Sequence, residues 1–175
     1  MRERYVVDTN VLIAASAGSP TDPKEIDATP DDKDLLLQVW SWLNSFSEGD
    51  ARMVLDSESK IYDEYSNKLS YNDYGIQVIM HKWSTAAVDV VLVDYDSDGH
   101  GVLPMALEKV IHDRADRKMV AAAICSHAEF GEGCVAFAGD TDWHGWEVDL
   151  LAHNVILEPL IEDWSRARYM EKQQR

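Results

Sequence analysis

Six carboxylates fall where short apolar runs end or helical stretches begin, and these are the residues placed to do chemistry. Asp8 closes the run Tyr5-Val6-Val7-Asp8, and Glu64 sits inside a helical stretch, in Tyr62-Asp63-Glu64-Tyr65. Asp113 and Asp116 open an alanine-rich segment, in His112-Asp113-Arg114-Ala115-Asp116. Asp140 and Asp142 follow Val135-Ala136-Phe137-Ala138. In an open parallel sheet, ligands collect at the carboxyl ends of the strands, where Asp8 and Asp140 are expected. Carboxylates gathered without a cation repel one another and raise one another's pKa values. A fold that assembles them therefore implies a bound cation. Magnesium is such a cation: it takes one or two carboxylates and keeps waters for substrate phosphates.

Each of these acids also has a plainer reading. Asp is a favoured N-cap residue, so Asp8, Asp113 and Asp116 taken singly read as caps, and one of Asp140 and Asp142 would cap the helix at Trp143. Glu64 has Lys68 four residues on and reads equally as a surface ion pair. It also flanks the apolar stripe 61/65/69, where an inward-leaning ligand would lie. The occurrence of all these acids in order favours the metal site. Asp94-Tyr95-Asp96-Ser97-Asp98-Gly99 imitates the opening of a calcium loop, but the twelfth position is Met105, where a Glu is required. That segment reads as a solvated acidic turn. The six histidines show no paired metal spacing. Trp40, Trp143 and Trp164 read as core and Trp42 and Trp146 as exposed, with base stacking by Trp146 beside Asp142 the lesser reading.

The elements that must position these acids alternate. Tyr5-Val6-Val7 reads as a buried strand and Asn10 to Ala15 as a helical turn. Pro20 to Asp34 holds three of the five prolines and six acids against two lysines, and reads as a solvated acidic insertion at about 20–34. Helical spacing resumes from Asp34 to Phe46, Met53-Val54-Leu55 is a second strand, and helices follow over Ser57 to Leu69 and Tyr74 to Trp83. Val88 to Val93 reads as a strand buried on both faces. Helices are expected over Pro104 to Ile111 and Ala115 to Ser126, the second packing closely through its alanines. Val135 to Ala138 is a strand, Trp143 to Leu151 a helix, Val155 to Leu157 a last strand, and Glu158 to Gln173 a terminal helix with Pro159 in its first turn. This alternation implies an α/β fold in three layers, with a mostly parallel sheet of four to five short strands.

At 175 residues the chain reads as one domain, 1–175. With 46% hydrophobic residues it has the apolar content of a folded chain rather than a disordered one. Its formal net charge of −16 argues against a protein that coats nucleic acid. The longest apolar run, Met119 to Cys125, is seven residues, far short of a membrane span. Two cysteines make neither a disulfide framework nor a zinc site. The expectation is a soluble, cytoplasmic protein whose amino terminus leads into the first strand without a signal segment.

Tyr5-Val6-Val7-Asp8-Thr9-Asn10-Val11-Leu12 resembles the opening motif of PIN-domain nucleases, among them the VapC-like toxins of toxin–antitoxin modules. Asp116 followed by Met119 to Ala123 is similar to that family's third acidic motif. Gly139-Asp140-Thr141-Asp142-Trp143 is similar to the fourth, and Glu64 fills the place of the helical glutamate. The resemblance spans nearly the whole chain in order. The stretch from Asp8 to Glu64 is longer than in a compact toxin, and Ala138 or Gly139 stands where a threonine is common. The resemblance implies metal-dependent hydrolysis of RNA phosphodiester bonds, with Mg²⁺ or Mn²⁺ held by Asp8, Glu64, Asp116 and Asp140, and Asp142 as an alternative to Asp140. Thr9 and Asn10 would hydrogen-bond ligands or substrate, Asp113 would lie beside the site, and Arg114, Arg117, Lys118, Arg166, Arg168 and Lys172 would supply phosphate contacts. The implied partners are RNA, an antitoxin or other regulatory protein, and a second copy in a homodimer. Two rivals stand beside this reading. One is a phosphatase with Asp8 as nucleophile, which usually needs a second acid where Asn10 stands. The other is a degenerate PIN-like module that binds RNA or protein without activity.

Overall fold

The computed structural model describes residues 1–22 and 24–175. Among them, five short strands pair in parallel into one sheet: β1 (Arg4–Val7), β2 (Arg52–Asp56), β3 (Val88–Val91), β4 (Cys134–Phe137) and β5 (Ile156–Pro159), in the order β3-β2-β1-β4-β5. β1 and β4 are adjacent in the register Val6↔Val135 and Val7↔Ala136. The three inner strands are buried almost throughout and read as continuous apolar runs, as strands covered on both faces must.

Eight helices among the described residues cover the sheet. α1 (Thr9–Ala17), α2 (Lys33–Glu48), α3 (Lys60–Lys68) and α4 (Tyr74–Ser84) connect β1 to β2 to β3. α5 (Met105–Glu108) and α6 (Arg117–Phe130) return the chain to β4, α7 (Trp143–Ala152) leads to β5, and α8 (Glu162–Gln173) ends it. With the right-handed crossovers usual in parallel sheets, this strand order puts α1 to α4 on one face and α6 with α7 on the other. α1 packs on α2, α3 and α4, while α6 lies across β1 to β4. Ala121, Ala122 and Ala123 of α6 are buried, so small side chains let that helix approach the sheet closely.

The chain leaves β1 toward β2 and leaves β4 toward β5, in opposite directions. The crevice between the carboxyl ends of β1 and β4 is therefore the topological switch point, where open α/β sheets bind ligands. No helix among the described residues is long and apolar enough to cross a membrane.

Four expectations are corrected. β3 is not buried on both faces: it is an edge strand that stops at Val91, with Val90 and Leu92 exposed. Pro159 does not open the terminal helix but closes β5, an edge strand on which its missing N–H is tolerated. Trp146 is buried, in edge contact with Trp143, while Trp42 is half-buried, stacks on Phe46 and donates to Glu158. The acidic insertion is not a purely solvated flap. α1 and α2 both start at the carboxyl edge of the sheet, so the segment between them must climb back, and Ile26 and Ala28 pack on the core as it does. Near its end the Thr29 backbone lies against Gly139, where an added Cβ would sit 1.9 Å from the Thr29 carbonyl oxygen. Pro23, within that segment, lies outside the described residues.

Candidate metal centre and flanking grooves

Asp8 follows β1 directly, and its amide donates to the Ala136 carbonyl of β4 (2.9 Å), which fixes it at the switch point. Its carbonyl accepts from Val11 to start α1, but its carboxylate makes no capping bond. Asp116 occupies the same position on α6, again without a side-chain cap. Both carboxylates are almost wholly buried, at 2% and 8% exposure, and in each Oδ2 is inaccessible to water and has no hydrogen-bond partner. The simple capping reading of these two acids therefore fails. A buried carboxylate oxygen without a partner costs on the order of 1–3 kcal/mol or more, so such groups call for another function.

Electrostatics joins these acids into one site. Burial pushes Asp8 well above the usual carboxylate range, and the charges of Asp116, Asp140 and Glu64 add to the rise, while the Asn10 amide opposes it. Burial pushes Asp116 up to about 8, followed by Asp140, Asp113 and Glu64, with Lys118 pulling the other way. Asp140 is raised mainly by burial. It stands just past β4 in a tight turn, its Oδ1 accepting from the amide of Asp142 (2.9 Å).

Glu64 reaches this centre from α3. That helix is seated by Asp56, whose carboxylate accepts from the amides of Lys60 (3.0 Å) and Ile61 (2.8 Å), and by Tyr65, whose hydroxyl donates to the Val7 carbonyl. The Glu64 carboxylate accepts from Thr9 Oγ1 and pairs with Lys118 Nζ. It does not pair with Lys68, as helical spacing alone suggested. In the sequence Asp56 carries no assigned role and Tyr65 stands only in the apolar stripe, so the part of both in seating α3 is missed there. An acid at a strand end four residues before a helix was a signal for the first, and nothing local marks the second.

The remaining residues fall outside the centre or are committed elsewhere. Asp142 is paired with Lys172 (2.5 Å) and its charge raises Asp140, while Asp140 in turn is among the groups that raise both Asp8 and Asp116. Asp113 is exposed and turns its Oδ1 to the Ala115 amide (2.8 Å). Arg117 is committed in part: its Nε and Nη2 donate to the carbonyls of Glu108 and Ile111 and tie that segment to α6. Arg166 is held by Glu147 and Glu162, and Arg168 by Glu171. Arg114 stands 3.9 Å from Asp98. Thr9 faces Glu64 rather than open solvent.

The centre is looser than a closed cation cage. Among the described residues, the group that offers ligand atoms within 4.8 Å of one another is Asp96, Asp98 and His100. That trio lies in a turn pinned by a Tyr95↔Gly101 bridge, where Asp96 Oδ1 accepts from the amides of Asp98 and His100, while His100 Nδ1 is buried without a hydrogen-bond partner. At the switch point, Lys118 already pairs with Glu64. The buried, unpartnered oxygens of Asp8 and Asp116 fit a hard cation that takes few carboxylates and keeps its waters.

Two grooves are lined by acids of this region. One of about 340 Å³ lies beside Glu64 and is lined by Lys60, Lys68, Lys118 and Asn67. The other, of about 480 Å³, lies beside Asp142 and Asp113 and is lined by Lys109, His112, Trp146, Tyr169 and Lys172. No protein-family model matches the chain, and no curated protein or solved structure matches it.

Proposed function

We propose that this chain is a divalent-metal-dependent ribonuclease of PIN-like type, hydrolysing RNA phosphodiester bonds at the carboxyl edge between β1 and β4. The observation that carries the reading is the pair of buried, unpartnered carboxylate oxygens on Asp8 and Asp116 at the switch point. Two N-cap positions that do not cap, in the field of Asp140 and Glu64, support a cation site over a structural role.

Asp8 and Asp116 would hold Mg²⁺ or Mn²⁺, with Glu64 and Asp140 completing the ligand set directly or through water. A bound cation of this kind polarises a phosphoryl oxygen, lowers the pKa of an attacking water and steadies the leaving oxygen. The chain's own groups do the rest. Asp116 retains a proton up to about pH 8 and must release it to act as a ligand. Thr9 orients Glu64, and Lys118 balances its charge while standing at the mouth of the lysine-lined groove. Lys118 is positioned to transfer from Glu64 to a substrate phosphate. Such an activity suits a toxin of a toxin–antitoxin module or a defence effector. A net charge of −16 gives a basic antitoxin a complementary surface.

The test is incubation of end-labelled RNA with the protein in Mn²⁺, in Mg²⁺ and in excess EDTA, beside Asp8→Asn. Metal-dependent cleavage that leaves 5′-phosphate ends and falls by orders of magnitude in the variant is expected. Undiminished cleavage in EDTA, or 2′,3′-cyclic phosphate ends, would contradict the mechanism.

A further inference from the structure

The two grooves lie on opposite sides of the acidic centre in the order of the sheet. Glu64 and its lysines belong to the β2 side, while Asp142, α7 and α8 belong to the β5 side. Their linings differ in kind. The β2-side groove carries three ammonium groups and no aromatic ring. The β5-side cavity carries two aromatic side chains, Trp146 and Tyr169, with two lysines and two acids, Lys172 being paired with Asp142, and Tyr169 passes close over Gly145, where an added Cβ would meet the phenol oxygen at 3.0 Å. Ammonium groups suit phosphates, and a half-buried aromatic ring in a cavity with a lysine unpaired among the described residues suits the face of a base.

We propose that the β5-side cavity is a nucleobase subsite, in which one base of a single-stranded RNA stacks on Tyr169 while the adjoining phosphate is held by Lys109. Trp146 forms the apolar floor, and Lys172, drawn to Asp142 at 2.5 Å, closes the side toward the carboxylates. This inference rests on the ribonuclease reading, because the base enters on the Asp142 side of the bond cut at the acidic centre. The scissile strand then runs from the lysine groove, past Asp8 and Asp116, into the aromatic cavity. A rigid duplex cannot place one base there without unpairing it, so the subsite selects single-stranded RNA and makes one position beside the cut dependent on its base.

The experiment compares binding and cleavage of a short fluorescent single-stranded RNA with a set in which each nucleotide in turn is abasic. The parent chain, Tyr169→Leu and Tyr169→Phe are used, with binding followed by anisotropy in EDTA at low salt and cleavage in Mn²⁺. One abasic position is expected to weaken the parent's binding about 5- to 150-fold, the range for loss of one base–aromatic stack. Tyr169→Leu should lose the same factor on intact RNA and show no further loss at that abasic position, while Tyr169→Phe behaves like the parent. Base-dependent binding through Tyr169 without cleavage in Mn²⁺ would sustain the subsite and overturn the ribonuclease reading. Metal-dependent cleavage to which neither Tyr169→Leu nor any abasic position makes a difference would do the reverse, leaving the cavity to a protein partner. Absence of RNA binding by the parent would overturn both.

Discussion

At the scale of single residues, the finding that matters most is that Asp8 and Asp116 hold N-cap positions without capping. A structural cap would be worth about 1 kcal/mol to its helix, and here that bond is not made. The result is a site that is strained when metal-free, with a definite pH dependence. The Asp116 carboxyl is raised from an ordinary 3.8 to about 8, so between those values the folded state holds more protons than the unfolded one. The part of the stability in EDTA that Asp116 governs should therefore fall as pH rises from about 4 to about 8 and level off above that. Asp116→Asn removes this part of the slope. At pH 8 in EDTA the variant should melt above the parent by roughly 2–6 °C, equivalent to about 0.5–2 kcal/mol, and at pH 4 the difference should vanish. Added Mn²⁺ should stabilise the parent by about 2.7 kcal/mol at a hundredfold excess over its dissociation constant, and the variant far less. Melting curves at the two pH values, with and without Mn²⁺, check this. A variant that melts below the parent at pH 8 would make Asp116 a structural residue.

At the scale of elements, the acids depend on segments the sequence made only partly legible. β1 and the place of Asp8 could be read because a short β-branched run that ends in an acid has few other interpretations. The alanine-rich helix was legible too, although it begins at Arg117 rather than Ala115. Whether a strand is central or at an edge is a property of the whole sheet, so the apolar composition of Val88 to Val93 misled about β3. The seating of the acidic insertion on Gly139 was not legible, since no local pattern encodes a contact between segments so far apart in the chain. That contact gives a prediction. Gly139→Ala would drive a methyl group into the Thr29 carbonyl, so either the insertion lifts or the turn carrying Asp140 shifts. A loss of about 1–3 kcal/mol of stability is expected, together with faster proteolysis within 20–32 and reduced Mn²⁺ affinity. Unchanged melting and proteolysis would show that the turn does not rest on the insertion. Arg117 now belongs at this scale as well, because it braces Glu108 and Ile111. Arg117→Ala should cost about 1.5–3 kcal/mol in a denaturant titration while leaving the salt dependence of RNA binding unchanged. A flattened salt dependence would return Arg117 to the substrate.

At the scale of the whole molecule, a net charge of −16 opposes the approach of RNA, so affinity must rest on a few cations near the centre. The arginines of α8 are taken up by Glu147, Glu162 and Glu171, which shifts attention to Lys68 and Lys109 in the two grooves. Lys68→Glu and Lys109→Glu should each weaken RNA binding several-fold and reduce its salt slope by about 0.7, the value for one phosphate contact on a single strand. Anisotropy titrations across a range of salt concentrations check this, and equal slopes for parent and variants would place the strand elsewhere. The same acidity surrounds the central claim, because Asp96, Asp98 and His100 form a second, tighter group of potential ligands in a turn. Calorimetric titration of Mn²⁺ into the parent, Asp8→Asn, Asp116→Asn and Asp98→Asn separates the two places directly. The account predicts that the tightest binding is lost in Asp8→Asn and Asp116→Asn and kept in Asp98→Asn. Mn²⁺ binding that survives in both Asp8→Asn and Asp116→Asn but disappears in Asp98→Asn would contradict it.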